Sequence, residues 1–253
     1  MFLDYDPYDY LFKTCIVLYI PVIFTLKYVV ENYISLDNRL YISDLLTLPW
    51  AFWCFSLSIF SLFGTFYIGK YLIFDHFQSD FFKSDAAIFY HLFILSKIIE
   101  LIDTVFIVLR SKPLVALQWY HHWATLLICY CVTYLQCDKL VILFFMNYFV
   151  HTFMYFYFGL YCFNQGKFMR NIFGTFVNVI QTLQMLLAVV ISFYIYNYEI
   201  DSLICLIEIE DQHLTQIYYY GIAMYISYFV LFIQVFYERS KRLKNVKYLE
   251  KNK

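Results

Sequence analysis

Apolar residues run along this chain in long blocks, broken by short polar segments. Seven blocks stand out, near residues 11–33, 45–69, 86–109, 113–135, 139–163, 172–197 and 214–237. Crossing a bilayer as a helix takes about 20 mostly apolar residues, and every block meets that length. The pattern predicts an all-α, polytopic membrane protein with seven transmembrane helices. Breakers are sparse: Pro21 lies inside the first block, Pro49 near the start of the second and Pro113 at the start of the fourth. Proline costs little at a helix start, where its missing N–H has no intrahelical partner. No internal repeat or low-complexity linker divides the chain, so residues 1–253 read as one domain.

Composition supports the membrane reading. Of 253 residues, 62% are hydrophobic and only 15% charged, against about 25% charged in soluble domains. Such apolar content also excludes a disordered chain. The net charge of −1 points to no nucleic-acid partner. Seven cysteines form no CxxC pair. Cys15, Cys54, Cys129, Cys131 and Cys162 fall within apolar blocks, where cysteine acts as a small hydrophobe. Cys137 and Cys205 fall in expected loops; a bridge between them is allowed but not specified. Asp4, Asp6 and Asp9, with no basic residue among the first ten, argue against a cleavable signal. The first block is expected to remain as a span.

Charge then orients the bundle. Seven spans put the termini on opposite sides. The basic tail at 239–253, with Arg39, Arg110, Lys112, Lys167 and Arg170, gives one side twelve basic residues, while Lys70, Lys83 and Lys139 give the other three. The positive-inside rule places the C-terminus in the cytosol and the N-terminus in a lumen or outside.

Ionisable groups at membrane depth are costly and face cavities or one another. The third block contains Lys97, Glu100, Asp103 and Thr104 in KIIELIDT. On a helical wheel Lys97, Glu100 and Thr104 fall within about 60° of one face, and Lys97 can pair with Glu100 three residues on. The fourth block carries Gln118, His121 and His122 in LQWYHHW, all able to border one cavity. In the fifth, Asn147, His151 and Tyr155 repeat every four residues and share a stripe. The sixth places Asn178, Gln181 and Gln184 at spacing three, a pattern that equally suits helix–helix adhesion. His121, His122 and His151 are the three central histidines, and imidazole is suited both to proton transfer and to nucleophilic catalysis.

Several chemistries fit poorly. Membrane iron oxygenases use about eight histidines in several boxes, and three central ones do not fill such a site. The HExxH spacing of zinc hydrolases and the GxSxG of serine hydrolases are absent. Cys129 lies seven residues beyond His122, about 10.5 Å along a helix, too far for a Cys–His pair. What remains is catalysis by imidazole, amide and carboxylate groups in a long apolar chamber, which suits an acyl chain. A seven-helix receptor or transporter shares the bundle and orientation. Transporters favour Gly/Pro-broken helices and often internal repeats, and neither is seen.

Four segments together resemble the ELO family of fatty-acid elongases. They are Lys97 to Thr104 (family KxxExxDT), Gln118 to His122 (HxxHH), Asn147 to Tyr157 (NxxVHxxMYxYY) and Asn178 to Gln184 (TxxQxxQ). Order and spacing agree, and the resemblance covers roughly residues 45–240. IELIDTVFIVLR followed by WYHH is most similar to the branch acting on saturated and monounsaturated chains. Three positions depart from the pattern: Gln118 stands where the box has His, Asn178 where the last motif opens with Thr, and Phe156 at a position that varies.

The resemblance implies seven spans, six of them in a ring around an acyl-chain chamber. It implies a multi-pass protein of the endoplasmic reticulum that condenses acyl-CoA with malonyl-CoA. The products are CO2, CoA and a 3-oxoacyl-CoA two carbons longer. No cofactor and no metal is implied. The expected partners are membrane lipids and the 3-oxoacyl-CoA reductase, dehydratase and enoyl reductase of the cycle, with a homodimer allowed. His121 is the expected acyl acceptor. His122 and His151 would move protons, and Asn147, His151 and Gln118 would meet the enolate oxygen. Lys97, with Arg110 and Lys112 at the mouth, is expected to hold CoA phosphates. Glu100 and Asp103 would fix Lys97 and the imidazole tautomers, and Thr104, Tyr155, Asn178, Gln181 and Gln184 would line the substrate path. A direct condensation, with histidine only as acid and base, fits the residues equally well. A further alternative is a catalytically inactive homologue, suggested only by Gln118.

Overall fold

The computed structural model describes residues 7–75, 81–133, 138–163, 169–198 and 211–251. Among these the regular structure is entirely helical. Helices α1 (Pro7–Tyr33), α2 (Leu36–Leu45) and α3 (Thr47–Lys70) precede a kinked pair, α4 (Ala87–Ile99) and α5 (Leu101–Leu109). Helices α6 (Ala116–Thr133), α7 (Val141–Tyr161), α8 (Gly174–Tyr198) and α9 (Asp211–Lys251) complete the chain. Five segments are long and apolar enough to cross a membrane: Asp9–Tyr33, Thr47–Phe74, Val141–Tyr161, Asn171–Ile195 and Thr215–Lys241. The two blocks missing from that set hold the densest polar clusters. One is split into α4 and α5 at Glu100, and the other, α6, spends three of its 18 residues on Gln118, His121 and His122.

Three features differ from the sequence pattern. Helix α2 is short and has no fully buried residue, so no apolar block announces it; Ser35 caps it by accepting from the Asn38 N–H at 3.4 Å. Pro113 was expected to open the fourth block, but α6 begins at Ala116. Instead α5 ends in a Schellman motif: the Ser111 N–H donates to the Val108 carbonyl and the Lys112 N–H to that of Ile107. Ser111 takes the left-handed backbone this needs, with φ 53°, and Pro113 follows as a stop. Finally, α9 continues unbroken to Lys251, so the basic tail prolongs the last apolar helix. Cys137 and Cys205 lie outside the described residues.

Small residues set the closest approach, which is between α3 and α7. A Cβ on Gly64 would lie 2.6 Å from the Tyr148 ring, and one on Gly159 would lie 2.9 Å from Phe55. Ser58 adds a hydrogen bond to the Thr152 carbonyl at 2.8 Å. From there α7 packs on α8, α8 on α9, α9 on α6, α6 on α4 and α4 on α3. Stacked Phe93 and Phe144 rings, 4.2 Å apart, join α4 to α7. Helix α1 lies outside this circuit against α5 and α6. It is held by Tyr19–Thr104 (2.8 Å) and by Trp123 Nε1 donating to the Ile16 carbonyl (3.1 Å).

Candidate active site

The polar residues of α4 to α7 meet in the interior. Lys97, Glu100, Asp103, His122, Asn147, His151 and Tyr155 are all buried. The Lys97–Glu100 ion pair expected from the spacing forms at 2.7 Å. Lys97 Nζ also donates to Asn147 Oδ1 at 3.1 Å and sits 4.2 Å from the centre of the Phe93 ring. Glu100 accepts in addition from the Ser96 hydroxyl at 3.1 Å. Lys97 was expected at the mouth beside Arg110 and Lys112. The structure instead buries it and commits it to Glu100, which removes it from a phosphate's reach. Because an ammonium only donates, the Asn147 amide has its oxygen toward Lys97. Its NH2 group is thereby left as a donor at the cavity wall.

Asp103 is engaged elsewhere. Trp53 Nε1 donates to one carboxylate oxygen and Tyr155 Oη to the other, each at 2.6 Å. The nearest imidazole atom, His122 Nε2, is 3.9 Å away, beyond hydrogen-bond length. So Asp103 ties α3, α5 and α7 together and leaves the tautomer of His122 to Gln118, whose Nε2 lies 2.8 Å from His122 Nε2. His151 Nδ1 is 3.9 Å from Glu100. Thr104 does not join this cluster: it bonds Tyr19 of α1. The helix is interrupted at Glu100, where the Asp103 N–H reaches back three residues to the Glu100 carbonyl, and Thr104 beyond it is fully buried against α1.

His121 occupies a different wall. Its ring borders a cavity of about 780 Å³, part of it open, bounded by α4, α6, α7, α8 and α9. Asn147 and Gln184 also face this cavity. His121 Nδ1 is buried without a hydrogen-bond partner. Tyr228 of α9 packs its ring 4.6 Å from the imidazole. Its hydroxyl bridges the His121 carbonyl (3.0 Å) and Thr125 Oγ1 (2.9 Å). Away from these groups the walls are apolar, among them Val132, Leu143, Phe144 and Met224.

Other expected residues stand apart. Asn178 and Gln181 are half-buried on α8 and do not line the cavity, unlike Gln184. Arg110 lies over Trp50 at 5.8 Å and Lys112 is exposed, both at the end of α5. Two residues now stand in the site that the motif reading missed. Trp53 holds Asp103 and Tyr228 holds His121, yet each is one aromatic among 4 Trp and 27 Tyr, with no pattern to mark it. Among the described residues no three His, Cys, Asp or Glu side chains converge as a metal ligand set.

This geometry offers an imidazole on the wall of an apolar cavity, its Nδ1 buried and unpartnered, and an amide also lining that cavity. Two further imidazoles lie behind, in a network of satisfied charges. Similarity to known proteins gives the family. The model of the ELO family, described as the GNS1/SUR4 family, matches residues 8–248. "Very long chain fatty acid elongase 4" of Trypanosoma cruzi is 31% identical over 236 residues, covering 88% of this chain and 77% of that protein. "Very long chain fatty acid elongase 6" of Mus musculus is 32% identical over 204 residues, covering 75% and 72%. No solved structure matches the chain significantly.

Proposed function

The chain belongs to the ELO family, and from that premise we propose that it condenses an acyl-CoA with malonyl-CoA. The products are a 3-oxoacyl-CoA two carbons longer, CO2 and CoA, the first step of a fatty-acid elongation cycle. The observation that carries this reading is His121 on the wall of the apolar cavity, with its Nδ1 buried and held by no hydrogen bond. In the first half-reaction the imidazole attacks the thioester carbonyl and the thiolate leaves as CoA, giving an acyl-imidazole. In the second, malonyl-CoA loses CO2 and its enolate carbon attacks the acyl carbon, with the imidazole as leaving group. His122 and His151 carry the protons.

The Asn147 NH2 group, aimed by Lys97, is the donor for the enolate oxygen. Gln118 holds His122 in one tautomer, a role an amide fills without changing charge. Arg110 and Lys112 meet the CoA phosphates, as charge-assisted pairs. Gln184 lies along the acyl path. No metal and no nicotinamide enters either half-reaction.

The kinked α4–α5 unit and α6 complete seven spans, and six of the seven enclose the acyl chamber. The basic excess around the C-terminus orients that end to the cytosol, with the N-terminus luminal, in the membrane of the endoplasmic reticulum. The reductase, dehydratase and enoyl reductase that consume the product are separate partners.

The test is condensation by the purified chain in detergent with 14C-malonyl-CoA and acyl-CoAs from C10 to C22, alongside His121→Ala. Labelled 3-oxoacyl product from the wild type, lost in the mutant, is the expected result. Full activity of His121→Ala would overturn the acyl-imidazole step. Folded wild-type protein that gives no product with any acyl-CoA would identify an inactive homologue.

A further inference from the structure

The cavity beside His121 has a length that can be read in residues. Along α6 its lining follows one stripe from His121 through Thr125 and Ile128 to Val132. Along α9 it runs the other way, from Tyr228 through Gly221 to Ile217. At 1.5 Å per residue, the eleven steps from His121 to Val132 measure roughly 16 Å. An extended peptide spans about 3.3–3.6 Å over three bonds, or about 1.2 Å per bond. The stripe therefore accommodates about 13 bonds, a straight chain of about 14 carbons counted from a carbonyl at His121.

Gly221 interrupts one wall of this path. A Cβ there would meet only Ile128 Cδ1, at 3.8 Å, an ordinary contact. The other glycines lying between packed helices differ: at Gly64, Gly69 and Gly159 a Cβ would fall within 3.0 Å of an aromatic ring. Nor does the backbone demand glycine, since no glycine among the described residues has positive φ. What Gly221 provides is empty width, at the level of Ile128. That level is seven residues from His121, about 10.5 Å by helix rise. By the same measure per bond it corresponds to about the tenth carbon.

We propose that Gly221 is a specificity-determining position, and that the cavity selects an unbranched acyl chain of about 14 carbons because no side chain projects there. This rests on the elongase reading for its substrate class. A larger residue at 221 closes the path near the tenth carbon. Trimming the far end at Val132 lengthens it.

The experiment separates binding from turnover. Acyl-CoA thioether analogues from C8 to C20, which cannot transfer their chain, compete against a fluorescent C12 thioether analogue on the purified full chain. Affinity is expected to rise by up to about fourfold per methylene as each is buried, and to stop rising near C14. In Gly221→Leu the rise stops near C10, and the preference for C14 over C10 falls at least tenfold. Gly221→Ala, whose Cβ fits, moves the limit less, and Val132→Ala moves it beyond C14. These two variants decide the matter if the leucine variant does not fold. An unchanged length profile in the 221 variants, or a loss equal at all lengths, overturns the assignment. Turnover is measured in parallel with the matching thioesters. A shifted binding profile without labelled product keeps the length assignment and sinks the elongase reading. Product with an unshifted profile does the reverse.

Discussion

Replacing Lys97 by methionine tests the buried charge network directly. Lys97 is 3% exposed and holds Glu100 at 2.7 Å and Asn147 at 3.1 Å. Methionine keeps the volume but removes the charge. Glu100 then retains the Ser96 hydroxyl at 3.1 Å and stands as an uncompensated carboxylate in the interior. Breaking a buried pair from one side costs about 3–5 kcal/mol. For a chain of this length about 2–4 °C is lost per kcal/mol, so the melting temperature should fall by roughly 6–20 °C. Replacing both Lys97 and Glu100 by methionine removes both charges. That variant should melt close to wild type, short of about 1 kcal/mol for the Asn147 bond. Far-UV circular dichroism of Lys97→Met, Glu100→Met and the double variant beside wild type, in one detergent, closes the double-mutant cycle. A Lys97→Met protein that melts with wild type, or a double variant no more stable than the single, would refute the reasoning.

Other outcomes follow from single contacts. Gly64→Ala forces a Cβ against the Tyr148 ring and should cost about 1–3 kcal/mol, read as a lower melting temperature. Ser111→Gly relieves a left-handed backbone at φ 53° and should gain about 1 kcal/mol. Tyr155→Phe strips one donor from Asp103; a hydrogen bond to a charged group contributes about 1.5–3 kcal/mol, so this variant should melt lower while Tyr157→Phe serves as the control. Tyr228→Phe keeps the ring beside His121 but loses both hydroxyl bonds. It should lower kcat of the condensation with little change in KM, and an unaltered kcat would remove Tyr228 from the positioning of His121.

Much of this was legible in the sequence, for a physical reason. A bilayer demands long apolar helices, so each of the seven blocks contains helix in the structure. The same apolar background makes Lys97, His122 and His151 conspicuous, and they do gather. Legibility failed where neither signal operates. Thr104 took Tyr19 of α1 as its partner, past an interruption at Glu100 that a wheel of constant pitch does not contain. Asp103 looked like a partner for imidazole, yet its donors came from Trp53 and Tyr155. Aromatic donors are invisible in a chain where 24% of residues are aromatic. Lys97 was grouped with Arg110 and Lys112 as a phosphate ligand. Its depth was set by tertiary packing, which no spacing encodes.

The close seam between α3 and α7 bears on how the molecule moves. Rings seated against Gly64 and Gly159, with the Ser58 hydrogen bond between them, leave that pair little room to slide. Asn147, His151 and Tyr155 ride on α7 and so belong to a fixed jaw. The opposite side of the cavity is formed by α8 and α9, whose main packing is on each other, on α7 and on α6. Among the described residues the α8–α9 side has no comparable seam against α3, and so has more room to part from α7. Because Tyr228 of α9 packs on the His121 ring and bonds its carbonyl, any parting of α9 from α6 also frees the imidazole, so movement on that side reaches His121 as well as the cavity.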